Sequence, residues 1–286
     1  MLLALVAAVP LSAWAQWTLD AEAARIYDDN LSRAQRDSDI VRDRAWTGRA
    51  ALGRAFPAFS IGQGDASLYG EVRAARHDRY EGVNHHAVGA GASLRRKLGL
   101  GLTAPWVALQ ASLLVENYET RVRDGYRSGV AALLGKRFDE RFEIWVRAGH
   151  DRRVQREDAP TLPGLSGRPF SLQGRSVALR ASYAFSAQGL AYASAGLRRG
   201  DVVSSTRRNP EIFGESAALA PDPAFGADFI AYRLTGARTR SWSAGVSWAL
   251  GRRAALDASV SRDVTAARGG LDYDGNLYSL SVVYRD

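Results

Sequence analysis

Apolar and polar residues alternate strictly over long stretches of this chain. Val107, Leu109 and Leu113 share one phase, while Gln110 and Ser112 lie on the other. Such alternation predicts a strand with one apolar and one polar face. The runs exceed the roughly 5–6 residues typical of soluble sheets and approach the 9–11 that cross a bilayer when tilted. The same pattern recurs in residues 142–149, 177–185, 242–250 and 278–284.

The pattern predicts twelve strands joined by connections of two alternating lengths. One set of connections is mostly short, and the other includes every long one, with the longest at 201–239. This asymmetry is typical of membrane barrels with short periplasmic turns and longer outer loops. We therefore expect an all-β fold, a single closed antiparallel transmembrane β-barrel with up-and-down meander order. The predicted strands are 16–28, 45–56, 66–80, 86–96, 105–121, 126–138, 142–156, 172–185, 189–200, 240–251, 255–262 and 276–285.

The phase of each strand predicts which side chains meet lipid. We expect an outward apolar belt that includes Val107, Leu109, Leu113, Val146, Leu179, Val246 and Leu280. Aromatic residues near the strand ends predict two interfacial girdles. The periplasmic girdle would contain Trp17, Phe56, Trp106, Phe138, Phe142, Phe185, Trp248 and Tyr284. The outer girdle would contain Trp46, Tyr80, Tyr118, Tyr126 and Tyr278.

Residues 1–15 have the features of a signal peptide. A short apolar run precedes Ala13-Trp14-Ala15, a small-x-small cleavage pattern. The run is shorter than the ~20 residues that a spanning helix needs. The sequence therefore predicts a leader over 1–15 and a barrel over 16–286, located in the outer membrane of a Gram-negative bacterium.

The last strand, LYSLSVVYRD, together with the leader and the amphipathic strands, resembles Gram-negative outer-membrane proteins. The segment IYDDNLSRAQRDSD after the first strand resembles the entry to uncharacterised barrel porins and the C-terminal barrels of surface lipoprotein assembly modifiers. The resemblance to barrel porins implies a passive channel, and the resemblance to surface lipoprotein assembly modifiers implies a role in surface assembly. Tyr284 is the last aromatic of the final strand, and Asp286 stands where this class usually ends in an aromatic residue.

Composition narrows the possible chemistry. The chain contains no cysteine, which excludes disulfides and thiolate sites. Its formal net charge is +8, and Lys97 and Lys136 are the only lysines among 38 basic side chains. Arginine holds phosphates and carboxylates bidentately. For an exported chain we expect outer-membrane lipid, lipopolysaccharide, the barrel-assembly machinery during insertion and small anionic solutes as partners, and no nucleic acid, cofactor or metal.

Seven charged residues lie on the phase opposite to the apolar belt. A charge that faces the bilayer midplane costs about 2–4 kcal/mol, so we expect this phase to face the lumen. Two interpretations remain open for this set. Paired Arg and Glu side chains would plug a narrow barrel, whereas surplus Arg would line a wet pore and attract anions. The candidate lumen-lining network is Glu71, Arg73, Glu116, Arg127, Glu143, Arg147 and Arg180.

Other candidate chemistry is weaker. His77 and His150 lie near the outer rim, where lipid-modifying barrels work, but no local motif of such enzymes accompanies them. DYDGN at 272–276 resembles the start of a calcium loop, although an ordinary turn explains it better. The charged loop after the first strand is expected to be solvated and self-paired.

The leading expectation is a small passive porin-like channel with a mild anion preference, which is not an enzyme and has no catalytic residues. The alternative is a non-conducting barrel that displays loops or assists surface assembly. An outer-membrane lipid-modifying enzyme is a distant third. The loop at 201–239 should distinguish the first two, since a loop folded inward restricts the path.

Overall fold

The computed structural model describes residues 17–57, 64–159 and 163–286. Twelve long strands form one closed antiparallel barrel, in which each strand pairs with its neighbour along the chain. The first and last strands pair from Asp20↔Arg285 to Asp28↔Leu277 and close the ring. The strands are β1 (Trp17–Asp28), β2 (Asp43–Pro57), β3 (Gly64–His77), β4 (His85–Lys97), β5 (Trp106–Tyr118), β6 (Gly125–Arg137), β7 (Phe142–Gln155), β8 (Leu172–Ala184), β9 (Gly189–Thr206), β11 (Ile230–Ala249), β12 (Ala254–Ala266) and β13 (Asp272–Arg285).

The predicted twelve-stranded meander is confirmed, with one addition. A short strand, β10 (Ala218–Pro221), pairs with the outer end of β11 and makes the sheet 13-stranded without entering the ring. Strand β11 begins at Ile230, because Ile230–Leu234 continues to pair with β9 up to Thr206. The barrel wall is therefore taller here than the sequence predicted.

Each strand shows one exposed apolar phase. Leu109, Leu113, Leu179, Val246 and Leu280 are between 46% and 59% exposed, which confirms the predicted outward belt. Exposure of a continuous apolar surface of this extent to water is unfavourable, whereas contact with bilayer hydrocarbon is favourable. The protein is therefore built as an outer-membrane β-barrel. Among the described residues, no helix is long and apolar enough to cross a membrane.

The aromatic girdles form in part. Trp17, Trp46 and Tyr278 are exposed on the outward phase, as expected. Trp106 and Tyr118 were predicted to face lipid, but both lie on the inward phase of β5, opposite in phase to Val107 and Leu109. Tyr80 belongs to no strand and packs in the loop before β4 against Phe225. The prediction that these three aromatic rings belong to the girdles was therefore wrong, because a position near a strand end does not determine which face a side chain takes.

The outer connections lie at the end opposite to Trp17 and Arg285, as predicted for the long set. Two buried apolar clusters lie there. One contains Val202, Ile212, Leu219, Tyr232, Leu234, Ala237 and Leu271. The other contains Val41, Val83, Ala224, Phe225 and Phe229. The compact core thus sits at the outer end of the barrel.

One local expectation is wrong. We interpreted residues 272–276 as a turn, but they form the start of β13 and pair with residues 262–266 of β12. The turn precedes them at Gly269 and Gly270, whose φ values of 75° and 73° suit glycine. The predicted leader lies outside the described residues.

Candidate functional site

The register places all seven candidate charges on the phase opposite to the apolar belt. Glu71 and Arg73 lie on β3, Glu116 on β5 and Arg127 on β6. The same phase carries Glu143 and Arg147 on β7 and Arg180 on β8. The structure pairs some of these residues and leaves others without a carboxylate partner.

Glu71 binds two arginines. Arg49 Nε donates to Glu71 Oε2 at 2.9 Å, and Arg73 Nη2 lies 3.0 Å from Glu71 Oε1. The Glu71 side chain is 1% exposed, whereas Arg49 and Arg73 are 39% and 40% exposed. The carboxylate is therefore buried at the wall beneath two guanidinium groups that reach solvent in the lumen. The cluster carries a net charge of about +1, because arginine stays protonated.

Glu116 repeats this arrangement. Arg127 Nε lies 2.9 Å from its Oε1, and Arg153 Nε donates to its Oε2 at 2.6 Å. Arg127 is 49% exposed, while Arg153 is buried and also donates to the Phe170 carbonyl at 2.9 Å. Arg153 therefore connects the lumen wall to the loop that follows β7.

Glu143 does not pair with Arg147. It accepts a hydrogen bond from Trp106 Nε1 at 2.9 Å and lies 3.8 Å from Arg137 Nη2. In the described part of the chain, Arg147 and Arg180 have no carboxylate partner. Arg180 instead lies 4.0 Å above the Tyr192 ring. These two arginines contribute uncompensated positive charge to the wall formed by β7 and β8.

Sequence reasoning missed Arg49 and Arg153. Arg153 is an even number of residues from Arg147 on the same strand, so the period of two already placed it inward. Arg49 shares its phase with Ala51 and pairs in register with Arg73. The signal existed for both, but the partner carboxylate on another strand could not be identified without the register.

The remaining wall is lined by small and hydroxyl side chains. Ser194 and Ser243 are hydrogen-bonded at 2.7 Å, and Tyr192 donates to Asp257 at 2.8 Å. Ser247, Ser259 and Ser279 share this inward phase through the registers of β11, β12 and β13. Side chains of this size do not fill a twelve-stranded ring. The inward wall therefore combines small and hydroxyl side chains with half-exposed arginines.

The outer mouth is crossed by residues 207–229, here called the crossing loop, which includes β10 and α1 (Pro210–Phe213). It contacts the loops 29–42 and 78–84, which lie across the ring from β9 and β11. Arg207 donates to Asp39 at 2.9 Å, and Phe225 packs on Tyr80 with ring centroids 5.6 Å apart. Gly82 lies so close to Ala224 that an added Cβ would sit 2.5 Å from its Cα. The crossing loop therefore spans the mouth.

Asp222 anchors the centre of the crossing loop. Its side chain is fully buried and accepts hydrogen bonds from Arg123 Nε at 3.1 Å and from Arg123 Nη2 at 2.5 Å. Ser205 donates to the same carboxylate at 2.5 Å. Arg123 also stacks on Phe170 and Phe225, at 4.6 and 5.1 Å from their ring centroids. Asp222 thus connects the crossing loop to β9 through Ser205 and to the loop after β5 through Arg123. Arg123 in turn contacts the loop after β7 through Phe170.

The loop after β1 is not the solvated loop that its charge pattern predicted. Asp28, Asp39 and Asp43 are buried. Asp43 accepts the backbone N–H groups of Arg79 and Tyr80 at 3.2 and 3.1 Å. Hydrogen bonds to Asp228 and Asp39 raise the pKa of Arg207 above its ordinary value, so this link to the crossing loop stays charged. The carboxylates organise the mouth of the barrel.

The histidines form no catalytic arrangement in the described part of the chain. His77 Nδ1 lies 3.7 Å from Asp43, and His85 Nδ1 contacts the Val83 carbonyl at 3.2 Å. No serine hydroxyl hydrogen bonds to a histidine ring among the described residues. Over the same residues, no group of three or more His, Asp or Glu side chains is placed to hold a metal ion.

Comparison with known proteins identifies the fold. No protein-family model matches the chain, and no curated protein matches it. Among solved structures, an outer membrane channel from Pseudomonas putida F1 is similar with a TM-score of 0.59 and 9% identity, over 94% of this chain and 95% of that one. The NanC porin gives a TM-score of 0.47 and 10% identity over 93% and 98% of the two chains. The translocator domain of the autotransporter NalP from Neisseria meningitidis gives 0.45 and 13% over 94% and 88%.

Proposed function

We propose that this barrel is a passive outer-membrane channel for small anions, restricted at its outer mouth by the crossing loop. The observation that carries the proposal is the exposure of the inward arginines, since Arg49, Arg73 and Arg127 are 39–49% exposed although they lie inside the ring. A plugged barrel would bury these guanidinium groups. Half-exposed charges inside a closed ring need water around them.

The charge balance of the wall supports an anion preference. Glu71 and Glu116 each neutralise only one of their two arginines, and Arg147 and Arg180 have no carboxylate partner in the described part of the chain. On the other side of the ring, the inward phase carries Asp20 and Glu22 on β1 and Asp257 and Asp263 on β12. The arginine-rich arc from β2 to β8 therefore faces an acidic wall, which lowers the net positive charge of the lumen. We expect a modest preference that screening by salt reduces.

The alternative function is a non-conducting interaction barrel, and the crossing loop is the observation that favours it. Its contacts across the mouth, with the buried pair of Arg123 and Asp222, restrict any path from outside. The half-exposed, uncompensated arginines on the inward wall would have no role in that alternative. We therefore place the loop as a constriction of a channel.

The test is the reversal potential of the full-length protein in planar bilayers under a KCl gradient. The proposal predicts an anion-selective potential for the wild type, which Arg147→Ala/Arg180→Ala moves toward zero. Arg240→Ala, which removes an exposed charge from the outward phase of β11, should leave the potential unchanged. A cation-selective potential, or equal shifts in both variants, would contradict the anion preference. Absence of current in every variant would support the interaction barrel.

A further inference from the structure

Four basic side chains form a row across the outward face of the barrel. His150 of β7 lies opposite Arg175 of β8, and Arg175 lies opposite Arg199 of β9. Arg199 in turn lies opposite Arg238 of β11. All four are exposed and share their phase with the apolar belt. We call these four residues the basic row.

The basic row is unfavourable by itself. Directly opposed side chains on neighbouring strands have Cβ atoms about 4.5–5.5 Å apart, and like charges at that distance repel. In the described part of the chain, no carboxylate relieves Arg175, Arg199 or Arg238. Arg198, which directly precedes Arg199 and lies on the inward phase, pairs with Asp151 at 3.0 Å. The barrel therefore neutralises an inward arginine and leaves the outward ones available.

A surface groove of about 840 Å³ is lined by three of the four residues of the basic row, His150, Arg175 and Arg199. Four further arginines line it, of which Arg153 and Arg168 are paired with Glu116 and Asp158, while Arg152 and Arg233 have no carboxylate partner in the described part of the chain. The lining carboxylate of Asp201 accepts the backbone N–H of Gln173 at 3.2 Å. The groove is thus strongly basic and has the size of a site for a small molecule or a headgroup.

The height of the row on the barrel indicates which part of the membrane it faces. It lies roughly 8–11 residues above the periplasmic ends of its strands, close to the 9–11 residues that a tilted strand needs to cross hydrocarbon. Val177 and Leu197, one step deeper on the same phase, are 54% and 63% exposed and belong to the apolar belt. The row therefore sits where the phosphates of the outer leaflet meet the barrel, with acyl chains covering the belt beneath.

We propose that the basic row and its groove bind the phosphate groups of lipopolysaccharide in the outer leaflet. Guanidinium groups bind phosphate oxygens through paired, charge-assisted hydrogen bonds. Several guanidinium groups on adjacent strands match a lipid that carries more than one phosphate. The site lies outside the lumen, so it does not depend on the proposed channel function.

The test measures binding of purified bisphosphorylated lipopolysaccharide to the full-length barrel in detergent. Arg175→Ala/Arg199→Ala should weaken binding about tenfold or more, as expected for the loss of charge-assisted hydrogen bonds. Arg175→Lys/Arg199→Lys keeps the charge and should retain part of the affinity. The matched control Arg44→Ala/Arg76→Ala removes two outward arginines from the outer ends of β2 and β3 and should bind as the wild type does. Conductance should be unchanged in all three variants.

Two further arms identify the source of the phosphate. Dephosphorylated lipopolysaccharide should bind the wild type and Arg175→Ala/Arg199→Ala equally weakly. Inorganic phosphate, tested alone, should bind far more weakly than the lipid, because it lacks acyl chains to contact the belt. The proposal is overturned if the alanine variant retains full affinity, if the control loses as much, or if inorganic phosphate binds as tightly as the lipid. Heat-modifiable migration on gels verifies that each variant is folded.

Discussion

At the scale of single residues, buried carboxylates that hold two guanidinium groups set the charge of the lumen. Glu71 and Glu116 are each desolvated at the wall, and an unpaired carboxylate there would be costly. Two arginines satisfy each one and leave positive charge facing the lumen. The carboxylates are therefore buried in the wall, and the half-exposed arginines place positive charge on its inner surface.

Replacing one buried carboxylate should strengthen the anion preference. Glu71→Gln removes the negative charge but keeps the shape, so Arg49 and Arg73 both remain as uncompensated charges in the lumen. The reversal potential in a KCl gradient should move further in the anion-selective direction than in the wild type. Glu119→Gln, in the outer loop after β5, is the control and should cause little change. A shift toward cation selectivity would contradict the assignment of these charges to the lumen.

Removing the anchor of the crossing loop should destabilise the outer mouth. Asp222→Ala leaves Arg123 partly buried without its carboxylate, which should cost about 3 kcal/mol, because a broken buried pair leaves an uncompensated charge. Urea unfolding in lipid vesicles measures the loss. Asp228→Ala breaks an exposed pair with Arg207 and should cost less than about 1 kcal/mol. Equal costs for the two variants would mean that Asp222 does not anchor the loop.

At the scale of elements, β9 and β11 rise above the rest of the wall and carry the crossing loop. Their register shifts between Leu234 and Ala237, next to Gly236 with its φ of 68°. Beyond this irregularity Tyr232 and Leu234 are buried in the outer apolar cluster instead of following the belt. The hairpin therefore changes from membrane wall to support of the crossing loop.

Shortening the crossing loop should open the channel without unfolding the barrel. A two-residue Asn-Gly turn that replaces residues 208–228 keeps the pairing of Thr206 with Ile230. Single-channel conductance in symmetric KCl should rise, because contacts across the mouth are lost. A two-residue turn in place of 99–104, at the periplasmic end, is the matched control and should not raise conductance. Unchanged conductance in the shortened variant would show that the loop does not restrict the path.

Sequence alone predicted the strands well but not the outer mouth. The period of two determines which face each residue takes, so Leu109, Val146 and Leu280 were placed correctly. Asp222 lies in no periodic segment, and its partner Arg123 is distant in sequence, so their pairing depends on the closure of the ring. Arg49 and Arg153 were missed for the same reason: phase identifies the inward face, whereas register identifies the partner.

At the scale of the whole molecule, the type of side chain on the barrel surface changes with height along the barrel axis. An apolar belt surrounds the ring, a basic row lies above part of it, and buried clusters pack beneath the outer loops. Inside, arginines line the arc from β2 to β8, and serines line much of the rest. These features are consistent with one membrane-spanning body whose lumen is wet below a restricted outer mouth.

The central claim is that this lumen is water-filled and positively charged, and site-specific thiol labelling in the intact membrane tests it most directly. The natural chain has no cysteine, so a single introduced thiol reports its own position. Ala178→Cys and Ser182→Cys on the inward phase of β8 should react with charged thiosulfonates, faster with the anionic than with the cationic reagent. Leu179→Cys and Ala181→Cys on the lipid phase should react with neither. Unreactive inward thiols, or faster labelling by the cationic reagent, would contradict the account.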